Sequence, residues 1–163
     1  MRKVLVSFCL IFCMSALSSF SQNVISLGDK LLTANNIEKA SQILKSGGMV
    51  IEPAEVIFGI DPDLRITASN GVDAQIPIMC TVHAISKTDR RIQLISFVYK
   101  GDASKLKSNL SNLGYKYIDE FEYNDCGYIL RCKRYLKGDK ICVISTPTNG
   151  EKVSMIHFTL RGQ

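Results

Sequence analysis

The sequence predicts an α+β protein in which two short helices pack on one face of a mainly antiparallel sheet. Three observations predict it. Two stretches with helical apolar spacing each end in glycine, at Gly48 and Gly114. The rest of the chain is dominated by short apolar or alternating runs separated by turn-forming residues. In the last third, the links between such runs are three to six residues long (124–127, 137–139 and 146–151), too short for parallel crossovers and suited to hairpins.

Residues Met1 to Ser21 read as a cleavable export signal and not as part of that fold. Arg2 and Lys3 give a positive start, Val4 to about Leu17 is apolar, and Ser19 and Ser21 suit the small-residue cleavage rule. The apolar part, about 14 residues, is shorter than the roughly 20 that a spanning helix needs. The mature chain is therefore expected to begin at Gln22 and to be secreted or periplasmic. Residues 22–163 form one α+β domain on this reading, with no transmembrane segment.

The chain has 163 residues, 46% hydrophobic and 21% charged, which fits a globular protein and excludes a disordered one. Losing Arg2 and Lys3 lowers the 20 basic residues to 18 against 15 acidic ones, and the net charge from +5 to +3. That is too mild to imply nucleic acid. Four cysteines remain: Cys80, Cys126, Cys132 and Cys142.

The first helix spans Asn36 to Ser46. Asn35 and Glu38 form a capping-box pattern, Ile37, Ala40, Ile43 and Leu44 share one face, and Gly47-Gly48 stops it. Upstream, Leu27 to Leu32 fits a strand or a helical turn equally well. Strands are expected at Met49–Ile51, Val56–Ile60, Ile76–Ser86 and Arg91–Tyr99, with turns at Asp61-Pro62-Asp63 and Ser69-Asn70-Gly71. A second helix runs from Lys105 to Asn112, capped by Ser104 and ended by Gly114. A four-stranded meander follows: Tyr115–Tyr123, Tyr128–Leu136, Lys140–Ser145 and Lys152–Leu160.

The two halves resemble each other. Gly48 and Gly114 are 66 residues apart, Cys80 and Cys142 are 62, and Phe97 and Phe158 are 61. A weak tandem αβ repeat, about 28–100 and 101–160, accounts for this.

Charge patterning is the most informative chemical feature. Asp119, Glu120, Glu122 and Asp125 lie in one strand and its turn, Arg131, Lys133, Arg134, Lys137 and Lys140 in the next strand and its turn. With a four-residue loop at Asn124–Gly127, Tyr123 faces Tyr128, Glu120 faces Arg131, and Asp119 lies diagonal to Arg134. The same register aligns Tyr117, Phe121 and Tyr123 with Tyr128, Leu130 and Cys132 on one face. The simplest reading is mutual neutralisation across a hairpin. The functional reading is a binding patch of Arg131, Lys133, Arg134, Tyr135, Lys137 and Lys140 for an anionic surface or an acidic protein face. Lys137 and Lys140 favour it, having no evident acidic partner but Asp139.

Catalytic signals are weak. Glu120 and Glu122 sit beside cations and do not form an isolated acid and base. His83 and His157 lie in strands, with no nucleophile-elbow sequence around any serine. A concave pocket that held either histidine beside a serine or carboxylate would point to a hydrolase. There is no CxxC or HxxxH metal spacing and no phosphate-binding or dinucleotide loop, so neither metal nor cofactor is expected. For the cysteines, a two-residue turn at Gly138-Asp139 places Cys132 opposite Ser145 and Cys142 opposite Tyr135. Any disulfide then involves Cys80, and buried free thiols are the expected outcome, with Cys132 on the core face. The sum is a small exported protein that works by binding or structural interaction, with a small secreted hydrolase or an inhibitor-like module as rivals. The nearest analogy is architectural: small secreted proteins of two αβ repeats sharing one sheet, the β-lactamase inhibitor protein among them.

Overall fold

The computed structural model describes residues 24–53, 64–71, 78–86, 88–89, 91–101, 103–125 and 127–162. The export signal, the expected strand at 56–60, the turn at 61–63 and Cys126 lie outside these residues. Residues 24–31 form a helix, α1. Val24, Leu27 and Leu31 fall at helical spacing and are buried, which settles the ambiguity of that stretch. The chain continues through α2 (Ile37–Ser46), β1 (Val50–Ile51), β2 (Arg65–Ser69), β3 (Ile78–Ala84) and β4 (Ile92–Tyr99). It then forms α3 (Ala103–Asn112), β5 (Lys116–Asp125), β6 (Tyr128–Lys137), β7 (Lys140–Pro147) and β8 (Ser154–Leu160). Among the described residues three helices thus accompany the sheet where two were expected. No helix among the described residues is long and apolar enough to cross a membrane.

Two helix starts and one strand differ from the sequence reading for local reasons. The N-cap of α2 is Asn36, whose side chain accepts from the Lys39 N–H at 2.8 Å, one residue later than the capping-box pattern placed it. Helix α3 starts at Ala103, so Ser104 lies inside its first turn instead of capping it. Strand β2 was not expected. It has only Ile66 and Ala68 as apolar residues, but these alternate cleanly with half-exposed Arg65, Thr67 and Ser69.

All eight strands form one antiparallel sheet in the order β1-β2-β3-β4-β8-β7-β6-β5. Helix α2 is followed by strands β1–β4 and α3 by β5–β8, with α1 preceding the first set, and the two sets join where β4 pairs with β8. Residues spaced alike in the two halves take matching places in the ladders. Cys80 pairs with Phe97 in the first half, and Cys142 pairs with Phe158 in the second. In the β4–β8 ladder Ile95 faces Phe158, Ser96 faces His157 and Phe97 faces Ile156. With an offset of 61 residues, Ser96 and His157 are each other's counterparts, so an approximate twofold axis passes between them. The helices end alike too. Gly48 and Gly114 take φ of 80° and 86°, and Met49 and Tyr115 donate backbone bonds to Leu44 and Leu110 at 3.0 and 2.9 Å. These are Schellman endings, closed by contacts between buried apolar side chains.

One face of the sheet carries the core. Ala68, Cys80, Val82, Ile95, Phe97, Cys142, Ile156 and Phe158 are buried there under Ile25, Leu31, Leu44, Leu106 and Leu110 of the helices. Phe158 is the hub: its ring meets Phe97 and Tyr115 edge-on at 6.2 and 6.3 Å. The side of Gly28 lies directly against the Phe158 ring, so α1 crosses β8 at a residue without a side chain. The other face bears no helix among the described residues. Thr67, Thr81, Ser96 and His157 lie half-buried along it.

Candidate interaction surface

The surface is built on the β5–β6 hairpin at one end of the sheet. Its ladder runs to Asp125↔Tyr128, so a two-residue connection replaces the expected four-residue loop, and the register moves by two. A shift of two preserves faces but changes partners. Asp119 sits directly opposite Arg134 and binds it through both oxygens at 2.8 and 2.6 Å. Glu120 sits opposite Lys133 at 2.9 Å, and Arg131, expected opposite, reaches it diagonally at 3.3 Å. Hydrogen bonds from Arg134 and Lys133 hold the Asp119 and Glu120 carboxyls below the ordinary carboxylate range. Glu120→Lys is expected to cost little, since exposed pairs are weakly stabilising, and adding Lys133→Glu should recover part of the loss. Denaturant midpoints of the two single variants and the double measure this. An absence of coupling would overturn the pairing.

A bulge at Ile118 corrects a second expectation. It places Tyr117 on the helix-bearing face, where its ring packs edge-on against Tyr135 at 5.8 Å. Phe121, Tyr123, Tyr128, Leu130 and Cys132 remain together on the open face. Cys132 is buried there, across from Phe121 and 3.2 Å from the Ser145 hydroxyl, and not in the core beneath the helices. The Arg134 guanidinium lies over the Phe121 ring at 5.3 Å.

The six residues read as a basic patch are thus distributed. Arg131 and Lys133 engage Glu120, Arg134 lies on the opposite face with Asp119, and Tyr135 is buried in the core. Lys137 and Lys140 pair with each other in the β6–β7 ladder, and both reach Asp29 of α1, at 3.2 and 3.0 Å. Asp29 also accepts from the Tyr115 hydroxyl at 2.8 Å, and Lys137 lies over the Tyr115 ring at 5.5 Å. The partner missing from the local sequence sits more than a hundred residues away.

Ser96 and His157 share a hydrogen bond of 2.9 Å at the twofold axis on the open face. Burial lowers the pKa of His157, and burial with the nearby Arg65 lowers that of His83, so both imidazoles favour the neutral form. The serine that a hydrolase reading asked for is present, but it lines neither of two cavities formed by described residues. An apolar cavity of about 110 Å³ lies between α1, the end of α2 and Ile78. A broad depression of about 700 Å³ is bordered by Lys100, Glu151 and Lys152. Neither contains a histidine or a cysteine.

Cys80, Cys132 and Cys142 are buried free thiols. The two-residue turn places Cys132 opposite Ser145 and Cys142 opposite Tyr135, as expected. Burial raises the pKa values of Cys80 and Cys142, which keeps both thiols protonated and unreactive. A thiol reagent is expected to spare Cys80, Cys132 and Cys142 in the native protein and to label each of them after unfolding without reductant, as read by peptide mapping. Any of the three left unlabelled after unfolding would reveal a disulfide.

The exposed apolar side chains are concentrated. Of eight large hydrophobic residues exposed among those described, six lie on this hairpin: Tyr117, Ile118, Phe121, Tyr123, Tyr128 and Ile129. Comparison with protein-family models, curated proteins and solved structures finds no match for this chain.

Proposed function

We propose that the protein is exported and acts without catalysis, by docking another protein on the exposed aromatic surface of the β5–β6 hairpin. One observation carries this reading: the exposed large hydrophobics gather on a single hairpin instead of being scattered, a pattern associated with interaction sites. Tyrosine suits the role, because its ring contributes apolar area at small entropic cost and its hydroxyl stays wet. An anionic partner at Arg131, Lys133, Arg134, Lys137 and Lys140 would have to compete with Glu120, Asp119 and Asp29 for cations already engaged. Binding through them would weaken steeply with salt.

Site-specific photo-crosslinking in the native host tests the reading. A crosslinking residue at position 123 or 128 should give one discrete protein adduct outside the cytoplasm, and one at exposed Lys39 of α2 should give none. No adduct from the hairpin positions would overturn it. The intact mass of the exported protein should correspond to a chain starting near Gln22. The Ser96–His157 pair favours one second reading, a serine hydrolase. Labelling of Ser96 by a fluorophosphonate probe would support that reading, and an unlabelled serine would end it.

A further inference from the structure

We infer that β5 is a docking edge to which an extended segment of the partner adds as a ninth strand, with Lys or Arg alternating with apolar residues. The inference rests on the hairpin being the docking surface and states the form and chemistry of what docks. Among the described residues strand β5 ends the strand order, so it is paired there on one side only, and its outward N–H and C=O groups have no sheet partner among those residues. It is ten residues long, whereas the opposite edge, β1, has two. The bulge at Ile118 leaves a regular run from Asp119 to Asp125.

The side chains along that run select the occupant. Toward the open face point Phe121 and Tyr123, which are 39% and 55% exposed and offer apolar cross-strand partners. Toward the helix-bearing face point Glu120 and Glu122. Arg131, opposite Glu122, turns to Glu120, and Glu122 makes no ion pair among the described residues. The run holds four acidic residues, Asp119, Glu120, Glu122 and Asp125, and no basic one. A second copy of β5 laid antiparallel about Glu122 would set Glu122 against Glu122 and Asp119 against Asp125, which like-charge repulsion disfavours. Glu120 and Glu122, which share one face, attract a strand whose cations recur at every second residue, and Glu122 is the one of the two without an ion pair among the described residues. Strand addition of this kind draws affinity from backbone bonds and specificity from alternate side chains.

The test is selection of a random twelve-residue peptide library on the immobilised mature protein. Enriched peptides are expected to carry Lys or Arg at alternate positions with apolar residues between. An enriched peptide is then made in two N-methylated versions, with the methyl groups on odd or on even amides. One version should lose at least 100-fold in affinity and the other much less. Glu120→Lys/Glu122→Lys should weaken the unmodified peptide at least tenfold. The modification is on the peptide, so the folding of the protein is not at issue. Peptides without the two-residue cation period, or equal tolerance of both methylation frames, would overturn strand addition. Binders that tolerate both frames but need Phe121 and Tyr123 would leave the hairpin as a docking surface. Binders indifferent to Phe121→Ser/Tyr123→Ser would remove that reading as well.

Discussion

Gly28→Ala is expected to destabilise the protein by about 2 kcal/mol, the usual range for overpacking a filled site. Propensity alone gives the opposite sign, since alanine in a helix is favoured over glycine by about 1 kcal/mol. Contact decides. A methyl group on residue 28 would overlap three carbons of the Phe158 ring. That ring is fully buried, and Phe97 and Tyr115 pack edge-on against it. Neither the ring nor the helix can yield without opening the core. In a Phe158→Leu background the overlap is relieved, and Gly28→Ala should become neutral or stabilising. Denaturant unfolding of the four proteins in this cycle gives the coupling directly. A stabilising Gly28→Ala in the otherwise unaltered protein would mean that α1 does not rest on Phe158.

The second large effect is expected at Asp29. Its side chain is 16% exposed and that of Lys140 is 18% exposed, so both charges are largely withdrawn from water. Asp29→Ala removes the ion-pair partner that two ammonium groups on neighbouring strands share, at a cost of about 3 kcal/mol at neutral pH, the scale for breaking a withdrawn pair. Lys140→Met in that background should recover part of it. The acid dependence follows from the carboxyl. Burial pushes its pKa up, but hydrogen bonds from Lys140, Tyr115 and Lys137 outweigh burial and hold it below the ordinary value. A carboxyl depressed in the folded state stabilises fully above its unfolded pKa, near 4, and loses that contribution as pH falls through the folded value. The stability gap between the native protein and Asp29→Ala should therefore be widest above about pH 5 and shrink in stronger acid. A gap independent of pH would show that Asp29 acts through packing and not through charge.

Much of the architecture was legible in residues that recur. Gly48 and Gly114, Cys80 and Cys142, and Phe97 and Phe158 announce a repeat because each pair answers the same local demand: a left-handed helix ending, a small buried residue, a central ring. The turn at Gly138-Asp139 was legible because hairpin register follows from loop length. The turn at 126–127 was not, since polar Asn124 and Asp125 read as loop but continue the strand. Strand β2 was missed because five residues with two apolar ones give little periodicity. The binding patch misled because cations neighbouring in sequence alternate between faces, and because Asp29 is 108 and 111 residues from its two lysines. The aromatic residues of β5 and β6 were placed on a hairpin, but their exposure depends on that hairpin ending the sheet, which no local pattern encodes.

The seam between β4 and β8 has a kinetic consequence. Among the described strands that neighbour in the sheet, only these two are not consecutive in the chain, and Ser96 and His157, which face each other across the seam, are 61 residues apart. Every other pairing is a local closure, which a chain makes early and at small entropic cost. The two meanders are thus expected to form as separate, fast-assembling units, and the slow step is their meeting along the seam. Until that meeting, β4 and β8 are both open edges with buried-type side chains, and each can pair with the matching strand of another molecule. Dilute refolding therefore favours the single chain, and crowded refolding favours exchange of halves between chains.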